Sequence, residues 1–409
     1  MINMKNTADP LYLSAREAAA ELSVSPATLY AYVSRGLVRS EATADSRARR
    51  YRADDVRALK NRRAPAGGAK SGDADRVAAL DSAISTLTAH GPLYRGVLAV
   101  RLADHATLEE TATLLWDVDE ADPFSAANLP SSSETLDTVR QSTLTFSPLA
   151  RTMAIMSVAG EEDPRAFNRS IAGRTQTGAR VMRLTAGAIL GASPSGLPIH
   201  RQLADAWAPG NRVAEDLIRR ALVLLAEHEL NASAYTVRCA VSTGLNLYDA
   251  TVAGLAAVKG PRHGGAGPLA ARLIDTLATG DLAGGIRERV ALGERFPGFG
   301  HAVYPGGDPR ADHLLSALSK AGADPHLAVD APRLIREATG LHPTIDYAIA
   351  VMTRMLGLPV GHELAIFALA RTAGWIAHAM EQQDADVLIR PRARYTGPAP
   401  ARMQPTEAI

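Results

Sequence analysis

A mainly α-helical chain is predicted from three features of these 409 residues. Alanine is abundant while aromatics make up only 5%, a composition that favours helix over strand. Apolar residues recur at helical spacing along most of the length, and strand-like alternation is confined to PLYRGVLAV at 92–100. The clearest helical stretches are LEETATLLWDV at 108–118, ARVMRLTAGAILG at 179–191, VAEDLIRRALVLLAEHEL at 213–230 and AYTVRCAVST at 234–243. Two more, HPTIDYAIAVMTRMLGLP at 342–359 and AIFALARTAGWIAHAMEQQ at 365–383, carry Phe367 and Trp375, both expected in the core.

The chain is too long for one ordinary core, so more than one domain is expected. An apolar fraction of 46% with 21% charged residues excludes general disorder. Cys239 is the single cysteine, which excludes an intrachain disulfide and a thiolate metal cluster and suits the cytoplasm. No apolar signal-like or membrane-length run is present, so neither secretion nor a membrane partner is expected.

Charge divides the chain unevenly. Residues 1–64 hold twelve Lys/Arg against seven Asp/Glu, and the remainder is slightly acidic. Within this basic head, Ser14 and Glu17 form a capping-box pattern before AREAAAEL, and Ser25-Pro26 starts a second helix that Gly36 ends. Two short helices joined by so tight a turn form a helix-turn-helix, with Thr28, Tyr30, Ala31, Ser34 and Arg35 on the outer face of the second. LVRS and ARRYR then pair as strands around EATADSR, making a wing of Arg39, Arg47, Arg49, Arg50 and Arg52 suited to phosphates. A third helix, ADDVRALKNRR, closes the unit. A solvated protein-interaction face would carry similar charge, but capping, turn length and wing agree. Residues 11–63 thus resemble the MerR-type winged helix-turn-helix. APAGGAKSGDAD at 64–75 reads as a flexible linker.

In the body, PFSAANLPSSSETLD at 123–137 and YPGGDPR at 304–310 read as irregular, and LIRPRARYTGP as an extended basic tail. The densest chemistry lies between Lys259 and Arg310. There KGPRHGGAG and GFGHAVYPGGDPR are two His-bearing, Gly-rich turns separated by one amphipathic segment. Glycine lets backbone approach a ligand, and histidine exchanges protons near neutral pH. No Cys/His cluster at metal-ligand spacing is present, and no metal is expected.

LYRG, HELNAS, KGPRHGGA, GFGHAVY, DPRA, PTIDY, ARTAGW and RPRARYTG follow one another over residues 76–397. Their identity and order resemble the citrate synthase family. The resemblance implies a mainly α fold with a large domain at 76–263 and 352–409 and a small domain at 264–351, after the head (1–63) and linker (64–75). It implies condensation of acetyl-CoA with oxaloacetate through an enol, followed by hydrolysis of citryl-CoA, with no bound cofactor. By motif, Asp346 would be the base, His263 the donor to the thioester oxygen, and His301 the donor to the ketone. His228, Arg310 and Arg371 would hold the dicarboxylate, and Arg390 would reach in from the partner of a homodimer. Arginine forks suit a small dianion. A thioester α-proton is so weakly acidic that the enol must be stabilised as it forms.

One departure stands out. Many bacterial relatives carry cations at the positions of Ala302 and Pro305, where CoA phosphates are expected. Arg262, Arg354 and Arg392 are the candidate substitutes. Two rival readings are a 2-methylcitrate synthase using propionyl-CoA and a DNA-binding regulator with a citrate-synthase-like sensing body. Arg35 and the five wing arginines are the candidate DNA contacts.

Overall fold

The computed structural model describes residues 12–22, 24, 26–34, 37–42, 49–53, 55–56, 59, 80–118, 122–394 and 396–397. Residues Met1–Ala79 with Ala393–Ile409 form one compact unit and Leu80–Arg392 another.

In the first unit the capping box forms as expected. The Ser14 amide donates to Glu17 Oε2 at 2.8 Å, and the Glu17 amide donates to Ser14 Oγ at 3.3 Å. Helix α1 (Ala15–Glu21) and helix α2 (Pro26–Ser34) follow. Strands β2 (Ser40–Ala42) and β3 (Arg49–Arg52) pair antiparallel, with Ser40 opposite Tyr51. A strand not foreseen, β1 (Tyr12–Ser14), pairs on the other edge of β3, with Leu13 opposite Tyr51. Three residues give no readable period, and their partner lies some forty residues on. Ala18, Leu22, Leu29, Val38, Tyr51, Val56 and Leu59 form the small core. Ala53, Asp55, Val56 and Leu59 are helical, as the third-helix reading requires. Gly36 and the 64–75 segment lie outside the described residues.

The second unit opens with a meander of β4 (Ser85–Thr88), β5 (Gly91–Tyr94) and β6 (Val97–Leu98). The rest is helical: α3 (Ala99–Leu102), α4 (Leu108–Trp116), α5 (Glu134–Ser142), α6 (Pro148–Glu162), α7 (Ile171–Leu190), α8 (Ile199–Trp207), α9 (Arg212–Leu225), α10 (Ala232–Val241), α11 (Leu247–Val258), α12 (Ala266–Leu277), α13 (Leu282–Ala291), α14 (Pro309–Lys320), α15 (Ala331–Thr339), α16 (Ile345–Met355) and α17 (His362–Ala385). Local chemistry sets many of the ends. Thr107 and Glu110 make a complete capping box for α4, Asn231 caps α10, Asn246 caps α11, and Gly191 at φ +70° ends α7.

Helix α17 is the hub. It packs against α4, α7, α9, α10, α11 and α12, which its small residues permit because neighbouring axes can come close. Ile366, Phe367, Leu369, Trp375 and Ile376 are all at most 5% exposed, each burial stabilising the fold by roughly 1.5–3 kcal/mol.

Four sequence expectations need correction. The 213–230 stretch is helical only to Leu225, because other groups take over the carbonyls beyond it. Arg371 Nε donates to Leu225 O at 2.8 Å, the Gly374 amide to Ala226 O at 3.2 Å, and the Tyr94 hydroxyl faces Val223 O, Leu224 O and Glu227 O. His228 therefore sits on a turn. The supposed loop at 123–137 yields to α5 at Glu134, because Ser133 Oγ caps the Leu136 amide. The 304–310 stretch is irregular only to Asp308. Pro309 occupies the first turn of α14, where its missing N–H costs nothing. Two helices, α12 and α13, separate the His-bearing turns instead of one.

Candidate active site

A cavity of about 1050 Å³ is lined by His228, His263, His301, Arg310, Asp346 and Arg371. They come from four places in the chain: the turn after α9, the turn before α12, the loop and first turn of α14, and the facing helices α16 and α17.

His263 lies within the tight 259–265 turn, where its amide donates to Gly260 O at 2.9 Å. Its Nε2 lies 2.7 Å from Ser233 Oγ, which also accepts from Trp375 Nε1 at 3.0 Å. Since indole N–H can only donate, the hydroxyl proton of Ser233 is left with two acceptors, His263 Nε2 and Asn231 Oδ1 at 2.8 Å. The Phe367 ring meets the imidazole edge-on at 5.4 Å. Burial, and then the charge of Arg371, push the His263 pKa down to about 4, so the ring is neutral at pH 7.

The tautomer of His301 is set by the backbone. The Val303 amide donates to Nδ1 at 3.1 Å, which leaves the neutral ring with its proton on Nε2. Burial, with Arg310 next, lowers its pKa as well. His228, His301 and Tyr304 form a ring triangle with centroids 5.4, 5.5 and 5.0 Å apart, and His228 Nε2 is 3.1 Å from the Tyr304 hydroxyl. Burial and the charges of Arg310 and Arg371 hold His228 well below the usual histidine range.

Arg310 is 2% exposed and grips Asp308 with Nε at 3.0 Å and Nη2 at 2.9 Å. Asp308 also accepts the Arg310 amide at 3.1 Å and the Ile345 amide at 3.0 Å, tying the start of α14 to the start of α16. Arg371, 1% exposed, is held by Leu225 O through Nε and lies 4.7 Å over the Phe367 ring. Its Nη2 is buried without a hydrogen-bond partner. An unmatched buried guanidinium N–H is costly unless an anion answers it.

Asp346 stands one residue into α16. Burial raises its pKa to about 6, against the opposing pull of Arg310. Thr344 Oγ1 is 3.4 Å from Oδ2, and Oδ1 is buried with no partner. A buried carboxyl poised near neutrality beside two neutral imidazoles is the arrangement that proton abstraction requires.

Some expected residues lie elsewhere. Arg390 is exposed in the extended segment after α17 and does not line the cavity. Arg354 is paired with Asp275 at 2.5 Å, and neither it nor Arg392 lines the cavity, whereas Arg262 does. Phe367, expected as core, lines the cavity while remaining 5% exposed. In the head, Arg39 grips Asp55 with Nε and Nη2, both at 2.8 Å. Arg49 donates to Ser40 Oγ at 3.0 Å, Arg50 lies 5.1 Å over the Tyr12 ring, and Arg52 is half-buried on β3. Arg35 and Arg47 lie outside the described residues. Ser233, Tyr304, Asp308 and Thr344 went unassigned in the sequence reading. Tyr304, Asp308 and Thr344 have as their only sequence signal their proximity to His301, Arg310 and Asp346, at +3, −2 and −2 positions, whereas Ser233 lies thirty residues from the His263 it contacts and carries no such signal. Among the described residues no helix is long and apolar enough to cross a membrane.

Comparison with known proteins extends this picture. Residues 74–392 match the model of the citrate synthase C-terminal domain, and residues 13–64 that of the MerR HTH family regulatory proteins. Citrate synthase 2 of Bacillus subtilis is 37% identical over 201 residues, covering 47% of this chain and 54% of that protein. 2-Methylcitrate synthase 1 of Corynebacterium glutamicum is 34% identical over 193 residues, covering 45% and 51%. The chain thus spans about half the length of the curated relatives it matches. The citrate synthase of Thermoplasma acidophilum, solved as a ternary complex with carboxymethyl coenzyme A and oxaloacetate, superposes with a TM-score of 0.66. That match covers 81% of this chain and 97% of the other, and at 24% identity it speaks for the fold.

Proposed function

Because the chain belongs to the citrate synthase family, we propose that it condenses acetyl-CoA with oxaloacetate to give citrate and CoA. The observation that carries this reading is the convergence of three kinds of group on one cavity. They are a carboxyl raised to about 6, neutral imidazoles, and two buried guanidiniums of which one has an unanswered N–H.

In this mechanism Asp346 takes a methyl proton from acetyl-CoA. His263 donates to the thioester oxygen from Nδ1, in the tautomer where the Ser233 hydroxyl gives its proton to Nε2, and so stabilises the enol. The enol carbon attacks the ketone carbon of oxaloacetate, and His301 Nε2–H supplies the proton to the ketone oxygen. Water then cleaves the citryl thioester, releasing citrate and CoA. Neutral donors suit both oxygens, since they stabilise developing charge without a competing ion in the resting site. Arg310, Arg371 and His228 bind the dicarboxylate. Arg390 completes the site from the partner of a homodimer, and residues 264–351 act as a small domain against a large one at 76–263 and 352–409. We assign the protein to the cytoplasm, with the head as a DNA-contacting module through its arginines.

The likeness to a 2-methylcitrate synthase supports a second acyl substrate, propionyl-CoA; one methylene shifts specificity by only ~1–3 kcal/mol. A thiol-release assay with oxaloacetate and either acyl-CoA tests the reading. Turnover that Asp346→Asn lowers by roughly 10²–10⁴ is expected. Absence of turnover with both thioesters would refute it.

A further inference from the structure

Besides the two buried arginines that suit a small dianion, the cavity lining holds two exposed ones. Arg262 and Arg295 both line it, both are exposed and therefore lie at its mouth, and neither has an ion-pair partner among the described residues. Each is presented on an anchored segment. Arg295 sits in a stretch that Arg289 clamps three ways, donating to the Arg295 carbonyl at 3.3 Å, pairing with Glu294 at 3.1 Å, and lying 5.9 Å over Phe296. The neighbouring carboxylate is thus neutralised by Arg289, and the Arg295 charge is left for a ligand. Arg262 immediately precedes His263 in a turn too tight for any side chain at Gly265, where a Cβ would stand 2.6 Å from Lys259 O and 2.7 Å from Gly260 O. The lining also carries exposed apolar side chains, Leu269, Val290 and Leu341 at 39%, 42% and 37%. Of the other two carboxylates at the lining, Asp346 is buried and Glu229 belongs to the turn that carries His228.

An extended ligand with a reactive group inside, an apolar middle and a polyanionic end matches this layout. Resting on the acyl-CoA reading above, we infer that Arg262 and Arg295 anchor the CoA phosphates in this chain, in place of the cations absent at Ala302 and Pro305. Arg354 is excluded by its pairing with Asp275.

Titration calorimetry of the full-length protein with CoA and with 3′-dephospho-CoA, in the presence of oxaloacetate, tests the assignment without relying on turnover. Arg262→Ala and Arg295→Ala are each expected to weaken CoA roughly tenfold, the magnitude of a lost hydrogen bond to a charged group. Both should also flatten the salt dependence of binding, and Arg295→Lys should restore part of it. Arg354→Ala should leave CoA affinity unchanged, and oxaloacetate affinity should hold in every variant. A smaller loss with 3′-dephospho-CoA for one of the two variants identifies the arginine that meets the 3′-phosphate. If the double variant binds CoA as well as the parent, the anchor assignment fails while the catalytic reading stands. If the parent protein binds no CoA, both fail.

Discussion

The backbone amide of Val303 donates to Nδ1 of His301 at 3.1 Å, so the main chain decides which nitrogen of this imidazole carries the proton. Two residues apart in sequence, the pair holds Nε2–H as the free donor. Val303→Pro removes that amide donor, and kcat is expected to fall roughly tenfold or more as the ring loses its fixed tautomer. Oxaloacetate affinity should change far less. Nitrogen NMR of labelled histidine would read the tautomer directly, and an Nδ1-protonated His301 in the parent protein would contradict the assignment.

Asp346 predicts opposite effects on activity and stability. Its pKa of about 6 places the acid limb of the kcat profile near pH 6, with rate lost as pH falls through that value. For stability the sign is reversed. The unfolded carboxyl ionises near its ordinary value of 3.8, so the folded state binds more protons between about pH 4 and 6. The contribution of this group to stability therefore declines as pH rises through that window. Asp346→Asn is expected to raise stability at pH 7 by up to about 3 kcal/mol while removing turnover. Denaturant melts at pH 7 check it; a destabilised variant would count against a strained, desolvated carboxylate.

His263 acts the other way. Its folded pKa of about 4 lies below the ordinary 6.5, so the neutral ring stabilises the fold above pH 6.5 and that contribution is lost as pH falls toward 4. Replacing it with Gln, an uncharged donor, should make the protein more resistant to acid unfolding between those values. An unchanged acid transition would show that His263 is not desolvated.

Gly374 lies where a Cβ would stand 1.9 Å from Glu227 Oε2 and 2.7 Å from Ala226 O. Glu227 in turn faces His378 Nε2 at 3.2 Å and Ser85 Oγ at 3.3 Å, all beneath the turn that carries His228. Gly374→Ala is expected to destabilise by about 1–3 kcal/mol, the usual cost of overpacking, and to weaken oxaloacetate binding. Thermal melts and calorimetry together test this.

For the head, three wing arginines already have intramolecular partners: Arg39 with Asp55, Arg49 with Ser40, and Arg50 over Tyr12. DNA binding by the full chain is accordingly expected to be weak and strongly salt-dependent. Deleting residues 1–64 should abolish it and leave citrate-forming kinetics unchanged. Altered kinetics without any DNA binding at low salt would identify the head as a regulator of the enzyme.

Much of this was legible from the residues. Helical periodicity located most of α4, α7, α10 and α17, and Ser14 with Glu17 marked the start of α1, because periodicity and capping are encoded within a turn or two of chain. Two ends were missed although set locally, by the Ser133 cap of α5 and by Pro309 in the first turn of α14; another was set from far away. VAEDLIRRALVLLAEHEL looks helical to its last residue, yet Arg371 and Gly374, more than 140 residues later, claim the carbonyls of Leu225 and Ala226, and His228 lies outside the helix. Strand β1 was invisible for the same reason, since its partner β3 lies some forty residues on; β4 pairs with its chain neighbour β5 and was missed because four residues are too few to show a period.

By itself, then, the sequence determined the helical class, the basic head, and the identity of the His, Asp and Arg groups, because residue type and motif order are local properties. Only the tertiary structure decided how those groups behave. It brought segments more than a hundred residues apart around one cavity, desolvated Asp346 upward and His263 downward, and set the proton of His301. It committed Arg354 to Asp275 while leaving Arg262 and Arg295 at the mouth. Protonation and partnership depend on what lies within a few ångströms, and apart from local pairs such as Val303 with His301 and Asp308 with Arg310 those neighbours are remote in sequence.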